Sequence, residues 1–223
     1  LKYLTERGLL TFPTYAVGRG SGLPGSEGIT LSLTNDCNLR CIYCYANAGL
    51  DTTTISDTIA FTAIEYAINL THKMHKKTFW LTFHGGGESL TRKGLFKRCV
   101  EKALELTNEQ NIELNVHVVT NATLITDSFA HWMSKHKVKD ITVSLDGSVN
   151  IQNSQRPMKN GKGSYEFAMR GIEYLKKYHI PFAIRATVTN KSVNEMASFV
   201  QFLATDVFEN QGGIVHFEPL SLC

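Results

Sequence analysis

The stretch Asp140-Ile141-Thr142-Val143-Ser144-Leu145-Asp146 decides the fold, because its two faces differ in kind. Side chains alternate across a strand, so Ile141, Val143 and Leu145 share one face while Thr142, Ser144 and Asp146 share the other. The same division recurs along the chain in both directions. Thr30, Ser32 and Thr34 oppose Ile29, Leu31 and Leu33. Ala183, Arg185 and Thr187 oppose Phe182, Ile184, Ala186 and Val188, and His216 and Glu218 oppose Val215 and Phe217. Strands are expected over Ile29–Thr34, Thr78–Phe83, Ile112–Val119, Asp140–Leu145, Phe182–Val188 and Gly213–Phe217. Helical periodicity fills the intervals at Ser56–His75, Thr91–Glu109, Asp127–His136, Ser164–Tyr178 and Val193–Ala204. Asp127 reads as an N-cap, and Ser192 with Glu195 as a capping box.

Strands separated by helices of this length are βα units, which impose a parallel sheet. A doubly wound sheet is covered on both faces and should be apolar on both. A closed eight-stranded barrel fills its interior with branched apolar side chains. One polar face on strand after strand instead places helices outside and a wet concave interior within. The expected fold class is α/β, a partial (β/α)6 barrel with parallel strands.

The 223 residues, 43% of them hydrophobic, suffice for one sizeable domain. A net charge of +3 with 19% charged residues is too balanced to make nucleic acid the expected partner. No apolar run is long enough to span a bilayer, so no membrane partner is expected. Five cysteines, three of them clustered, argue for a reducing, cytoplasmic compartment and for metal rather than disulfides. Residues 1–28 read as a lead-in, with Leu1–Leu10 as the tail of a helix and Gly18–Gly28 as a flexible glycine-rich linker. Within that linker Gly20-Ser21-Gly22-Leu23-Pro24-Gly25 matches G-x-G-x-x-G. It is a decoy, because a dinucleotide fingerprint needs a strand before it and a helix opening from it. Residues 29–223 form the expected core domain. The start at Leu1 and the stop at Cys223 lead us to expect a segment of a longer protein.

The first strand runs into Thr34-Asn35-Asp36-Cys37-Asn38-Leu39-Arg40-Cys41-Ile42-Tyr43-Cys44-Tyr45, a C-x3-C-x2-C spacing. Thiolates so close in sequence can converge on one metal centre. Structural zinc and ordinary iron–sulfur clusters take four protein ligands, whereas three leave an open position of the kind catalysis needs. A Cys3His zinc module with a distant histidine and a reactive cysteine cluster are the competing readings. Cys99 sits in an amphipathic helix and reads as a small buried hydrophobe.

Ligands of parallel α/β folds bind beyond the carboxyl ends of the strands. Polar clusters fall at those ends: His84-Gly85-Gly86-Gly87-Glu88-Ser89, Thr120-Asn121-Ala122-Thr123, Ser144-Leu145-Asp146-Gly147 and His216-Phe217-Glu218-Pro219. His84 and His216 point to one mouth and are the catalytic candidates. Glu88 also suits the start of the second helix, and Arg185 also suits an interior ion pair with Glu218.

In order and content these motifs resemble the radical S-adenosylmethionine (SAM) superfamily. The likeness is to the branch of anaerobic sulfatase-maturating and other SPASM-type peptide-modifying enzymes. Its G-G-E-P appears as Gly86-Gly87-Glu88 with Ser89 for proline, and its T-N-G as Thr120-Asn121-Ala122. Its S-L-D-G with a downstream arginine appears as Ser144 to Gly147 and then Arg156. The resemblance implies that Cys37, Cys41 and Cys44 ligate a [4Fe–4S] cluster whose fourth iron chelates SAM. It implies that Gly86, Gly87 and Glu88 hold the SAM ammonium, and that Asn121, Ser144 and Asp146 meet its ribose or carboxylate. It places Tyr43 at the adenine, and Arg185 is the candidate for the carboxylate, a fork of donors suiting that anion. Arg156 and Glu218 are further cofactor-site candidates. The implied activity is reductive cleavage of SAM to a 5′-deoxyadenosyl radical that takes hydrogen from a peptide or protein substrate. A flavodoxin or ferredoxin would supply the electron, and auxiliary clusters would follow in a C-terminal domain, of which Cys223 could be the first residue. Small-molecule or cofactor biosynthesis is the alternative within the superfamily.

Overall fold

A computed structural model of the chain describes residues 10–11 and 27–220. The expected helix tail over residues 1–9, residues 18–26 of the glycine-rich loop and Cys223 lie outside the described residues. Leu10 is strand rather than helix: β1 (Leu10–Thr11) pairs antiparallel with β2 (Gly28–Leu31).

The remaining elements alternate as the hydrophobic pattern predicts. They are α1 (Asp57–Lys73), β3 (Thr78–Phe83), α2 (Lys93–Glu109), β4 (Glu113–Thr120), α3 (Asp127–Lys135) and β5 (Val138–Ser144). Then come α4 (Val149–Gln155), α5 (Tyr165–Lys177), β6 (Phe182–Val188), α6 (Met196–Phe202) and β7 (Ile214–Pro219). No described helix is long and apolar enough to cross a membrane.

Strands β2 to β7 are all parallel, and their order in the sheet is their order in the chain. Crossovers between parallel strands are right-handed in nearly every case. With no reversal of strand order, every crossover helix then falls on the same side of the sheet. The burial pattern agrees. Leu31, Phe79, Leu81, Val116, Val118, Ile141, Val143 and Ile184 are fully or almost fully buried and join one core with Ile64, Phe96, Cys99, Ala130 and Ile172 of the helices. Phe83 and Phe96 rings meet at 4.3 Å across the β3–α2 layer. Burying side chains of this size yields roughly 1.5–3 kcal/mol each. The opposite strand face carries Ser32, His84, His117, Ser144 and Arg185, and forms the concave side.

Four boundaries depart from expectation. β2 stops at Leu31 because the chain beyond it turns to pair with residues 53–55, through Asn35 N–H to Thr53 O and Ile55 N–H to Leu33 O. The second helix is preceded by a 3-10 turn over Ser89–Arg92. Thr126, not Asp127, caps α3, its hydroxyl accepting from Phe129 N–H. Ser192 caps no helix; its hydroxyl accepts from Thr189 N–H in a turn leading to a 3-10 segment. Helix α4 was not anticipated. Its sequence Val-Asn-Ile-Gln-Asn-Ser-Gln has no apolar stripe, yet Ile151, Gln152 and Gln155 are its buried positions.

Candidate active site

The cysteine loop has no regular structure of its own and is held by its neighbours. Arg40 donates from Nη1 to the carbonyls of Cys37 and Leu39, both at 2.7 Å, and from Nη2 to Gly49 O at 3.2 Å. Arg40 N–H and Ile42 N–H donate to Pro157 O and Gln155 O, and Lys159 N–H to Asn38 O, so the loop docks as an extended strand on the segment leaving α4. Each cysteine sulfur meets one donor: Leu39 N–H at Cys37 Sγ (3.4 Å), Arg156 Nη1 at Cys41 Sγ (3.9 Å) and Ala48 N–H at Cys44 Sγ (3.4 Å). Burial pushes the Cys37 thiol up to about 12 and raises Cys41 as well. A metal bound there would favour the thiolate form against that burial. Among the described residues no group of three or more His, Cys, Asp or Glu side chains is disposed to hold a single metal ion.

Beside the loop opens a cleft lined by Cys37, Cys41, Tyr45, the residues from His84 to Glu88, Asn121, Ser144, Arg156 and Arg185. The glycines after β3 serve the protein first. A Cβ on Gly87 would lie 1.9 Å from Asp36 O, and one on Gly86 (φ +61°) 2.5 Å from Ser32 Oγ. Gly87 N–H and Glu88 N–H donate to Thr34 O and Asp36 O at 2.7 and 2.8 Å, joining this loop to the start of the cysteine loop. At Gly85 (φ +95°) a Cβ would meet Ser32 Cβ at an ordinary contact distance of 3.8 Å.

Glu88 is buried, and its carboxylate receives three protein donors: Leu90 N–H (3.1 Å), Thr120 Oγ1 (2.9 Å) and Asn121 N–H (2.8 Å). It caps the 3-10 turn and clamps the end of β4. Burial raises its pKa against the pull of those hydrogen bonds. Asn121 in turn donates from Nδ2 to Asn38 Oδ1 at 3.0 Å, reaching back to the cysteine loop. The next residue, Ala122, holds φ +59°, so the turn accepts a Cβ where glycine would be unstrained.

Arg185 and His84 face the cleft from β6 and the end of β3. The Arg185 Nε is buried and has no hydrogen-bond partner among the described residues. The interior ion pair with Glu218 is not formed there. Burial, then the positive Arg185 and His117, hold His84 below the ordinary histidine range.

Other expected contacts lie elsewhere. Asp146 is fully buried and accepts from Tyr43 Oη and Gln155 Nε2 at one oxygen, and from Thr187 N–H at the other. Arg156 Nε pairs with that second oxygen at 3.0 Å. Three hydrogen bonds and the Arg156 ion pair thus engage both oxygens of Asp146 within the protein. Tyr43 points to Asp146 and lies under the Arg156 guanidinium, 5.3 Å from its ring centroid, instead of lining the cleft. His216 and Glu218, paired in register with Arg185 and Thr187, stand exposed on the edge strand and do not line it. The residues that sequence reasoning missed are Asn38, Gln152, Gln155 and Thr187. The two glutamines sit in a segment without an amphipathic signal, and Asn38 and Thr187 carry only ordinary hydrogen-bonding groups.

With that geometry in view, comparison with known proteins is specific about family. The model of the radical SAM superfamily matches residues 31–203. An uncharacterized protein of Methanocaldococcus jannaschii is 36% identical over 179 residues, spanning 80% of this chain and 59% of that one. The cysteine-type anaerobic sulfatase-maturating enzyme of Clostridium perfringens is 25% identical over 193 residues, 84% of this chain and 50% of that one. Among solved structures, native anSMEcpe with bound AdoMet and Cp18Cys peptide superposes with a TM-score of 0.71 at 23% identity, covering 86% of this chain and 50% of that one. The chain thus spans about half the length of the curated relatives it matches.

Proposed function

This chain belongs to the radical SAM superfamily, and from that premise we propose that it reductively cleaves SAM in the cleft beside its cysteine loop and acts on a peptide or protein side chain. Cys37, Cys41 and Cys44 would hold the [4Fe–4S] cluster. The observation that carries this reading is the donor at each sulfur, since N–H groups aimed at sulfur suit thiolates ligating a cluster. When bound, the cluster and SAM supply the hard chemistry, a one-electron cleavage of the C5′–S bond to methionine and a 5′-deoxyadenosyl radical that takes hydrogen from a substrate carbon.

The chain's own residues bind and orient. Arg185, which lines the cleft and whose Nε has no hydrogen-bond partner among the described residues, suits the SAM carboxylate. Ser144 and Asn121 line the same wall, and the Gly85 backbone, in the same lining, suits the ammonium. His84, which burial and the nearby Arg185 shift towards the neutral form, is the candidate to accept a proton in the cleft. A peptide substrate is supported by the sulfatase-maturating relative and by the peptide held in the structural neighbour. The electron donor in this reading is a flavodoxin or ferredoxin. A C-terminal domain with auxiliary clusters, which the motif resemblance implies, belongs to the same proposal.

The test is anaerobic reconstitution of the wild-type chain and Cys41→Ala, followed by iron and sulfide analysis and 5′-deoxyadenosine formation with dithionite. Wild type should load a cluster and cleave SAM, and Cys41→Ala should do neither. Full loading and cleavage by Cys41→Ala would refute the assignment. Incubation with candidate peptides, followed by mass, tests the substrate class separately.

A further inference from the structure

Asp146 and Arg156 form a buried pair pressed against the C-x2-C arm of the cysteine loop. Arg156 Nε lies 3.0 Å from Asp146 Oδ1, its Nη2 3.4 Å from Thr187 Oγ1 and its Nη1 3.9 Å from Cys41 Sγ. Tyr43, between the second and third cysteines, donates its hydroxyl to the other oxygen of Asp146. Asp146 is itself fixed by Thr187 N–H, Gln155 Nε2 and its own N–H to Gln152 Oε1 at 2.8 Å. The aspartate is fully buried and the arginine side chain 9% exposed, so water screens neither charge. A guanidinium this close to a cysteine sulfur acts on whatever negative charge that sulfur carries.

We infer that Asp146 and Arg156 are an electrostatic pair that sets the ease of reducing the metal centre held by the cysteines, with Arg156 acting on Cys41 and Asp146 positioning and partly neutralising Arg156. The added electron increases negative charge at the centre, so a nearby cation favours the reduced form and a nearby anion disfavours it. The two residues therefore push in opposite directions. Hydrogen bonding and charge around cluster sulfurs are established means of tuning potential. The inference rests on the cysteine loop holding the cluster.

The decisive measurement is the midpoint potential of the reconstituted chain without SAM, followed by electron paramagnetic resonance during a redox titration. Arg156→Gln should make reduction harder by about tenfold or more in the equilibrium, ~59 mV for one electron. Arg156→Lys, which keeps the charge, should recover most of that loss. Asp146→Asn should shift the potential the other way, making reduction easier. Shifts of the same sign in Arg156→Gln and Asp146→Asn would mark general loosening of the loop and overturn the inference, as would unchanged potentials in fully loaded variants. If Arg156→Gln fails to take up iron, Asp146→Asn decides alone, and a potential that does not rise overturns it. A wild-type chain that loads no cluster would instead end the proposed function along with this inference, so the two failures are distinguishable.

Discussion

Glu88 Oε2 accepts the backbone N–H of Asn121 at 2.8 Å, tying the loop after β3 to the loop after β4. With Leu90 N–H and Thr120 Oγ1 on the other oxygen, this carboxylate joins two strand ends across the floor of the cleft. Glu88→Gln replaces one acceptor oxygen by a donor and leaves buried groups unmatched. We expect a loss of about 1–3 kcal/mol in stability, read as a lowered urea midpoint with the slope unchanged. A variant as stable as wild type would mean that the carboxylate serves a ligand rather than the fold.

Arg185 should behave in the opposite way. Its Nε has no hydrogen-bond partner among the described residues, so Arg185→Gln should leave the denaturation midpoint close to wild type. If it holds the SAM carboxylate, affinity measured by calorimetry on the cluster-loaded protein should fall by roughly 10- to 100-fold, as for a lost hydrogen bond to a charged group. Unchanged affinity would assign the carboxylate to another residue.

Gly171 is an inner position of α5, where alanine ordinarily stabilises a helix by about 1 kcal/mol. Here a Cβ would sit 2.3 Å from Ala122 O, in the left-handed turn that follows Asn121. Gly171→Ala should therefore destabilise by about 1–3 kcal/mol, the cost of forcing a packed backbone apart. Thermal denaturation of the apo chain checks the sign.

His84 and His117 both have pKa values lowered from the ordinary 6.5, burial being the main cause in each. In the window below 6.5 the unfolded chain binds more protons than the folded one. Their contribution to stability is then complete above that value and is lost as pH falls towards the folded values. The denaturant midpoint should drop between about pH 7 and pH 5.5, with a slope below ~1.4 kcal/mol per pH unit for each histidine because both are partly exposed. The double variant His84→Gln, His117→Gln should flatten that dependence. An unaltered slope would place its origin in other groups.

Much of the fold was legible because strand faces alternate with period two and the polar face recurs at matching positions. Thr142, Ser144, Arg185 and Thr187 announce a concave wet side before any coordinates are seen. The helices followed from their apolar stripes, except α4, whose buried glutamines have no periodic signature. The three cysteines and the glycine run were legible from spacing alone. What the glycines contact was not: Gly86 and Gly87 owe their lack of side chains to the backbone of residues 34–36.

The sequence by itself determined that six parallel strands with intervening helices form an open arc with a polar concave face and a three-cysteine loop after its first strand, because periodicity and ligand spacing are local properties of the chain. Tertiary structure decided which polar groups remain available for chemistry. The partners of Asp146, namely Tyr43, Arg156 and Thr187, come from three separate segments, and only their convergence engages both of its oxygens. The Arg185 Nε is left without an acceptor among the described residues. A side chain's residual hydrogen-bonding capacity is set by what surrounds it in space, and that is information no stretch of sequence contains.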